Sequence, residues 1–271
     1  LFGGSAYSRP IMGTPATLTG ITADDLRDHH ARFYSPENTI IAVVTSRPAA
    51  EIMSWINAGP ARFANTGFVS RNPSAPGPPQ KIRVVQMPLD KEQVAICLGA
   101  PAPGAGHADV VPLDIAAGVL SNRLYLNLRE KQGLAYSVGA GTDVDRSFGW
   151  FVASMATGAE NYRQAVSGIL LEMDKLALDG PTAVEVNRAR NETWGRLMSA
   201  KLSAINQGFY LAVDEFLGRP MPYDRQLLSE LAGVDREAIR RVAARYFRTN
   251  AYVLATAGRI APAETEAPPE Q

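Results

Sequence analysis

Among the side chains able to do chemistry, one arrangement stands apart. Arg129 and Tyr136 lie seven positions apart in the stretch Ser121-Asn122-Arg123-Leu124-Tyr125-Leu126-Asn127-Leu128-Arg129-Glu130-Lys131-Gln132-Gly133-Leu134-Ala135-Tyr136-Ser137-Val138-Gly139. A helical pattern stops at Gly133 and a strand pattern starts at Tyr136, so an arginine in a last helical turn and a tyrosine at a strand entrance can converge. A guanidinium fork and a phenol aimed at one point can hold a peptide carbonyl and stabilise charge growing on its oxygen. The plainer reading of the same pair has Arg129 bonding the last helical carbonyls and Tyr136 packing at a sheet edge.

The remaining reactive side chains are scattered. His29 and His30 are adjacent, which on a helix sets them about 100° apart and prevents them from gripping one metal. His107 stands alone in a Pro/Gly-rich turn, and no His-x-x-x-His or His-x-x-Glu-His spacing occurs. Cys97, the single cysteine, lies in an apolar run and reads as a small buried core residue. No nucleophile elbow or phosphate loop is present; Gly104-Ala105-Gly106 and Gly139-Ala140-Gly141 lack the strand–helix setting. The arginines at 236, 240, 241, 245 and 248 read as a solvated helix face rather than a nucleic-acid surface.

The elements that must position these residues follow from composition and periodicity. With 271 residues, 46% apolar and 20% charged, the chain can bury a sizeable core. Lys+Arg 27 balances Asp+Glu 27, which argues against gross attraction to nucleic acid or anionic lipid. No apolar run is long enough to span a bilayer as a helix. The sequence predicts a helix capped by Thr22 with Asp25 three residues on, a buried strand over Thr39–Val44, and a helix over Ala49–Asn57. Strands are expected at 82–87 and 93–98, joined by a turn at Pro88-Leu89-Asp90, then helices at 110–120 and 122–131. Strands at 136–144 and 149–156 precede helices at 161–178, 182–199, 202–217 and 235–247 and a strand at 251–257.

An internal repeat organises this pattern. Leu26-Arg27-Asp28-His29-His30-Ala31-Arg32-Phe33-Tyr34 aligns with Ile239-Arg240-Arg241-Val242-Ala243-Ala244-Arg245-Tyr246-Phe247, and each copy is followed by a turn, an asparagine (Asn38, Asn250) and a strand pattern. The offset is 239 − 26 = 213 residues, so one helix–strand unit is expected to close two related domains. The expected division is the end of a first domain at 1–58, a Pro-rich linker at 59–80, a complete second domain at 81–260, and a disordered tail at 261–271. The opening Leu1-Phe2-Gly3-Gly4 reads as cut from a longer protein, with roughly 130 residues of the first domain upstream.

The stretch from Ser121 to Gly139 resembles the second-domain signature of the M16 metallopeptidases, the family of pitrilysin, insulin-degrading enzyme and mitochondrial processing peptidase. Residues 1–47 resemble the end of that family's first domain, through Gly13-Thr14, Leu18 to Ile21, Asp25-Leu26 and Tyr34-Ser35-Pro36-Glu37-Asn38; Gly158 and Gly180-Pro181-Thr182 fit too. Ser5-Ala6-Tyr7 and Thr45-Ser46 depart from the common pattern. The resemblance implies an α+β fold, a mixed, largely antiparallel sheet with helices on one face, present as one complete copy and the end of a preceding one. It implies a clamshell of two halves around an unfolded peptide, with zinc and a carboxylate base in the first domain or a partner subunit, and Arg129 and Tyr136 binding the substrate backbone. No residue of this chain is assigned to zinc or to the general base, and the chain alone is expected to be inactive. The implied partners are a peptide and another M16-like half, as homo- or heterodimer, with no nucleic acid. The alternatives are a non-catalytic partner subunit and a structural core subunit. Bacterial periplasm and cytoplasm both remain open.

Overall fold

The computed structural model describes residues 1–59, 66–68 and 74–259. In chain order it contains α1 (Pro15–Thr19), α2 (Ala23–Phe33), α3 (Ala49–Ala58), β1 (Arg83–Pro88), β2 (Gln93–Pro103), α4 (Val110–Leu124), β3 (Ser137–Val144), β4 (Phe148–Gly158), α5 (Tyr162–Asp179), α6 (Ala183–Ala200), α7 (Ala204–Leu217), α8 (Tyr223–Gly233), α9 (Arg236–Tyr246) and β5 (Val253–Gly258). The expected linker lies partly outside the described residues, and the expected disordered tail wholly outside them. The chain divides into two compact units. One holds 74–197 and 222–259; the other holds 2–59, 66–68 and the 198–221 segment with α7.

In the first unit, alternation along the strands builds a sheet with one buried face. Val94, Ile96 and Leu98 of β2 are at most 1% exposed while Ala95 and Cys97 face outward. Cys97 is therefore not the core residue expected. The run around it is apolar throughout, and only its parity with the inward-facing Ile96 decides its side. The strand order is β1-β5-β2-β4-β3. β1 and β5 pair in parallel, and every other pair is antiparallel. The turn after β1 does not form a hairpin, because β5 lies between β1 and β2. The architecture is the expected α+β one: Ile115 and Leu120 of α4, Ile169 of α5 and Val242 of α9 pack with Phe151 and Leu254 of the sheet into one core. α8 was not expected from the sequence.

The repeat is a physical one. α2 and α9 are both 11 residues long. Thr22 caps α2 by accepting the Asp25 N–H, and Asp235 caps α9 by accepting the Ala238 N–H. At the other ends the Tyr34 N–H donates to the His30 carbonyl and the Phe247 N–H to that of Ala243. Each pair keeps the 213-residue offset.

The copies diverge at the next step. β5 lies inside the sheet, whereas residues 39–44, expected as a strand, form no ladder among the described residues. Thr39 is extended, with φ −124° and ψ 129°, but extended backbone becomes a strand only when neighbours take its N–H and C=O groups. In the second unit this segment runs along α7, where a Cβ on Gly208 would stand 3.5 Å from the Ala42 carbonyl oxygen.

Candidate substrate-binding site

The site grows from the end of α4. That helix does not stop and restart, as the sequence had predicted. It continues into a wider π-helical turn over Tyr125–Glu130, in which the Lys131 N–H reaches back to the Leu126 carbonyl at 3.1 Å. Leu124 and Leu128 anchor the turn in the core, exposed by no more than 1%. Gly133 then takes the left-handed conformation, φ 63°, which lets its N–H close on the Arg129 carbonyl at 3.0 Å. The next residue is pinned twice: the Leu134 N–H donates to the Leu128 carbonyl at 2.9 Å, and the Thr157 hydroxyl of β4 donates to the Leu134 carbonyl at 2.6 Å. The chain therefore enters β3 on a fixed path. Gly139 keeps that path close to α4, since a Cβ there would lie 3.1 Å from Ser121 Oγ.

These constraints bring Arg129 and Tyr136 together. The guanidinium carbon lies 5.7 Å from the centre of the Tyr136 ring and 5.0 Å from that of Tyr125, within the range of cation–π attraction. Arg129 Nε is 3.7 Å from Glu130 Oε1. Tyr136 is 82% exposed, so it does not serve as sheet-edge packing. Tyr125 is 38% exposed, and its hydroxyl hydrogen bond to Glu130, with the charge of that carboxylate, pushes the phenol above its ordinary range. A cation between two aromatic rings, with a free phenol beside it, can receive a polar backbone group from solvent. Sequence reasoning missed Tyr125 and Glu130. The four-residue spacing from Tyr125 to Arg129 was the available signal for the first.

Zinc has no fitting donors here. Among the described residues no group of three or more His, Cys, Asp or Glu side chains can hold a metal ion. His29 packs on Phe33 with ring centres 4.5 Å apart and His30 stacks on Tyr34 at 4.8 Å, while His107 Nδ1 accepts the Asp109 N–H at 3.0 Å. The arginines of α9 are occupied within the chain: Arg241 and Arg245 reach Asp109 at 2.7 and 3.1 Å, and Arg240 pairs with Glu237 at 2.7 Å.

A family model described as the peptidase M16 inactive domain matches residues 20–193. The chain belongs to the M16 peptidase family. This M16 chain is 26% identical over 262 residues to the uncharacterized zinc protease YmxG of Bacillus subtilis, covering 94% of this chain and 62% of the relative. It is 27% identical over 210 residues to the uncharacterized zinc protease Rv2782c of Mycobacterium tuberculosis, covering 73% of this chain and 47% of the relative. The chain thus spans between about half and two thirds of the length of these relatives. In fold it resembles the crystal structure of a peptidase M16 inactive domain from Pseudomonas fluorescens, with a TM-score of 0.86 at 21% identity, covering 96% of this chain and 63% of that one. A chain of complex III2 from Candida albicans matches with a TM-score of 0.80 at 14% identity, covering 95% and 64%. No helix among the described residues is long and apolar enough to cross a membrane.

Proposed function

We propose that this M16 chain supplies the peptide-binding half of a two-half peptidase, with Arg129 and Tyr136 holding the backbone of an unfolded peptide. The observation that carries this reading is the convergence of Arg129 on Tyr136 at 5.7 Å, at a point where the tyrosine is 82% exposed. The Arg129 fork donates to a peptide carbonyl, and the Tyr136 hydroxyl donates to the same oxygen as charge accumulates on it. The names of the relatives point to zinc, and in this proposal its ligands come from residues other than those described, on another M16-like half in the same or a partner chain.

The test is turnover of an unstructured peptide by the full-length protein or its assembly. Tyr136→Phe lowers kcat by about 10²-fold while changing KM less, because the lost donor acts mainly on the developing oxyanion. Arg129→Lys also lowers kcat/KM, since an ammonium cannot reproduce the two-pronged fork. Wild-type turnover in both variants overturns the proposal. A second reading is a non-catalytic partner subunit that binds peptide and completes a heterodimer. Zinc analysis of the full-length polypeptide carrying this chain, purified without any partner, separates the two: one tightly held zinc supports the peptidase, and none supports the partner subunit.

A further inference from the structure

The π-helical turn at 125–130 has a geometric consequence for Arg129. In an α-helix, residues five apart point about 140° away from each other, at about 100° per residue. A π-turn, with about 4.4 residues per turn, brings them back to within about 50° of one another. Tyr125 and Glu130 are five apart in this wider turn. They share a face for that reason, and the nearby Glu130 carboxylate pushes the Tyr125 phenol above its ordinary range. Arg129 lies on the same face, with its guanidinium carbon 5.0 Å from the Tyr125 ring and its Nε 3.7 Å from Glu130 Oε1. With Tyr136 at 5.7 Å on a separate element, the cation is walled by two rings. Leu128, fully buried between these polar residues, fixes the turn to the core.

We propose that Tyr125 and Glu130 are positioning residues for Arg129: Glu130 holds the Tyr125 ring in place and steadies Nε, so that the guanidinium presents its outer N–H groups to an incoming peptide. This rests on the peptide-binding reading of Arg129 given above. The arrangement lowers the side-chain entropy that a free arginine loses on binding. It depends on the widening of the helix. A regular α-helical end would leave Glu130 on a different face from Tyr125, and the two could not flank Arg129 together.

The test uses the full chain with isotope-labelled arginine, the Arg129 signal being assigned by its loss in Arg129→Lys. Hydrogen exchange of the Arg129 Nε–H, the titration of Tyr125, thermal stability and affinity for a fluorescent unstructured peptide are measured together. In Glu130→Gln and Tyr125→Leu, exchange accelerates and peptide affinity falls by about two- to five-fold each, the range expected for one exposed cation–π contact. In Glu130→Gln the Tyr125 phenol titrates lower, and the melting temperature is unchanged in both. Unchanged exchange in both variants overturns the proposal, as does unchanged affinity when Arg129→Ala weakens binding. If Arg129→Ala leaves affinity intact, the peptide-binding reading fails instead, and the exchange and titration data alone decide the positioning role.

Discussion

Arg123 grips Glu185 with two nitrogens, Nε at 2.6 Å and Nη2 at 3.0 Å from the two carboxylate oxygens, while Nη2 also donates to the Gly180 carbonyl at 3.0 Å. Glu185 in turn accepts the Thr182 N–H at 2.7 Å and the Thr182 hydroxyl at 2.9 Å. One ion pair therefore joins the end of α4 to the start of α6, directly behind the π-turn.

This pair predicts an acid-sensitive stability. Burial opposes the charge on Glu185, but its bonds to Arg123 and Thr182 outweigh that cost and lower the carboxyl to about 2. A depressed carboxylate stabilises the fold above the ordinary carboxylate range, and the contribution is lost as pH falls from about 5 toward 2. Glu185→Gln should cost about 1–2 kcal/mol at neutral pH and flatten the acid limb. Urea melts between neutral and acid pH check both.

Asp109 is 3% exposed and accepts from Arg241 at 2.7 Å, Arg245 at 3.1 Å and the Tyr246 hydroxyl at 2.9 Å. Burial, with that carboxylate bond, pushes the Tyr246 phenol up to about 12. Asp109→Ala should destabilise the first unit by about 1.5–3 kcal/mol and bring the Tyr246 titration down. Ultraviolet titration beside a denaturant melt tests the two together.

Gly168 on α5 leaves room for the π-turn: a Cβ there would stand 2.5 Å from Leu128 Cδ2 and 3.3 Å from Cδ1. Gly168→Ala gains helix propensity of about 1 kcal/mol but overpacks Leu128 by about 1–3 kcal/mol. A net loss of about 1 kcal/mol is expected, with a shifted Arg129 signal by NMR. An unchanged spectrum would show that Leu128 does not set the turn.

Residues 39–44 should make the chain prone to self-association. Ile40, Ile41 and Val43 are 41%, 53% and 47% exposed, while Val253 and Leu254 in the repeated unit are 8% and 4%. An apolar extended segment without a ladder invites pairing with another strand. Light scattering should show concentration-dependent association, weakened at least about ten-fold by Ile41→Lys with Val43→Lys. A monodisperse monomer at high concentration would contradict this.

How far the sequence could be read depended on how local each signal was. The Thr22–Asp25 cap and the helix stop at Gly133 were legible, because a few adjacent residues settle them. The position of β5 between β1 and β2 was not, since nothing at Pro88-Leu89-Asp90 records a strand that arrives about 165 residues later. α8 begins after Pro222 with no side-chain cap, so its start lacked the usual signature. Residues 39–44 carry good strand residues, but a ladder needs a neighbour that local composition does not supply. At the candidate site, Arg129 and Tyr136 were visible from type and spacing. Glu130 was hidden, because an α-helical wheel places it away from Tyr125 and only the wider winding unites them.

Cys97 stands on the outward face of β2, in register with Ser154 on one neighbouring strand and Ala255 on the other. It is the single thiol among 271 residues, and partial burial raises its ionisation range, so it alkylates slowly but at one address. A nitroxide or fluorophore attached there would stand over small neighbours, with room to turn. It would give the bare side of the sheet a single spectroscopic reporter, dark to the helical side and sensitive to whatever settles above it.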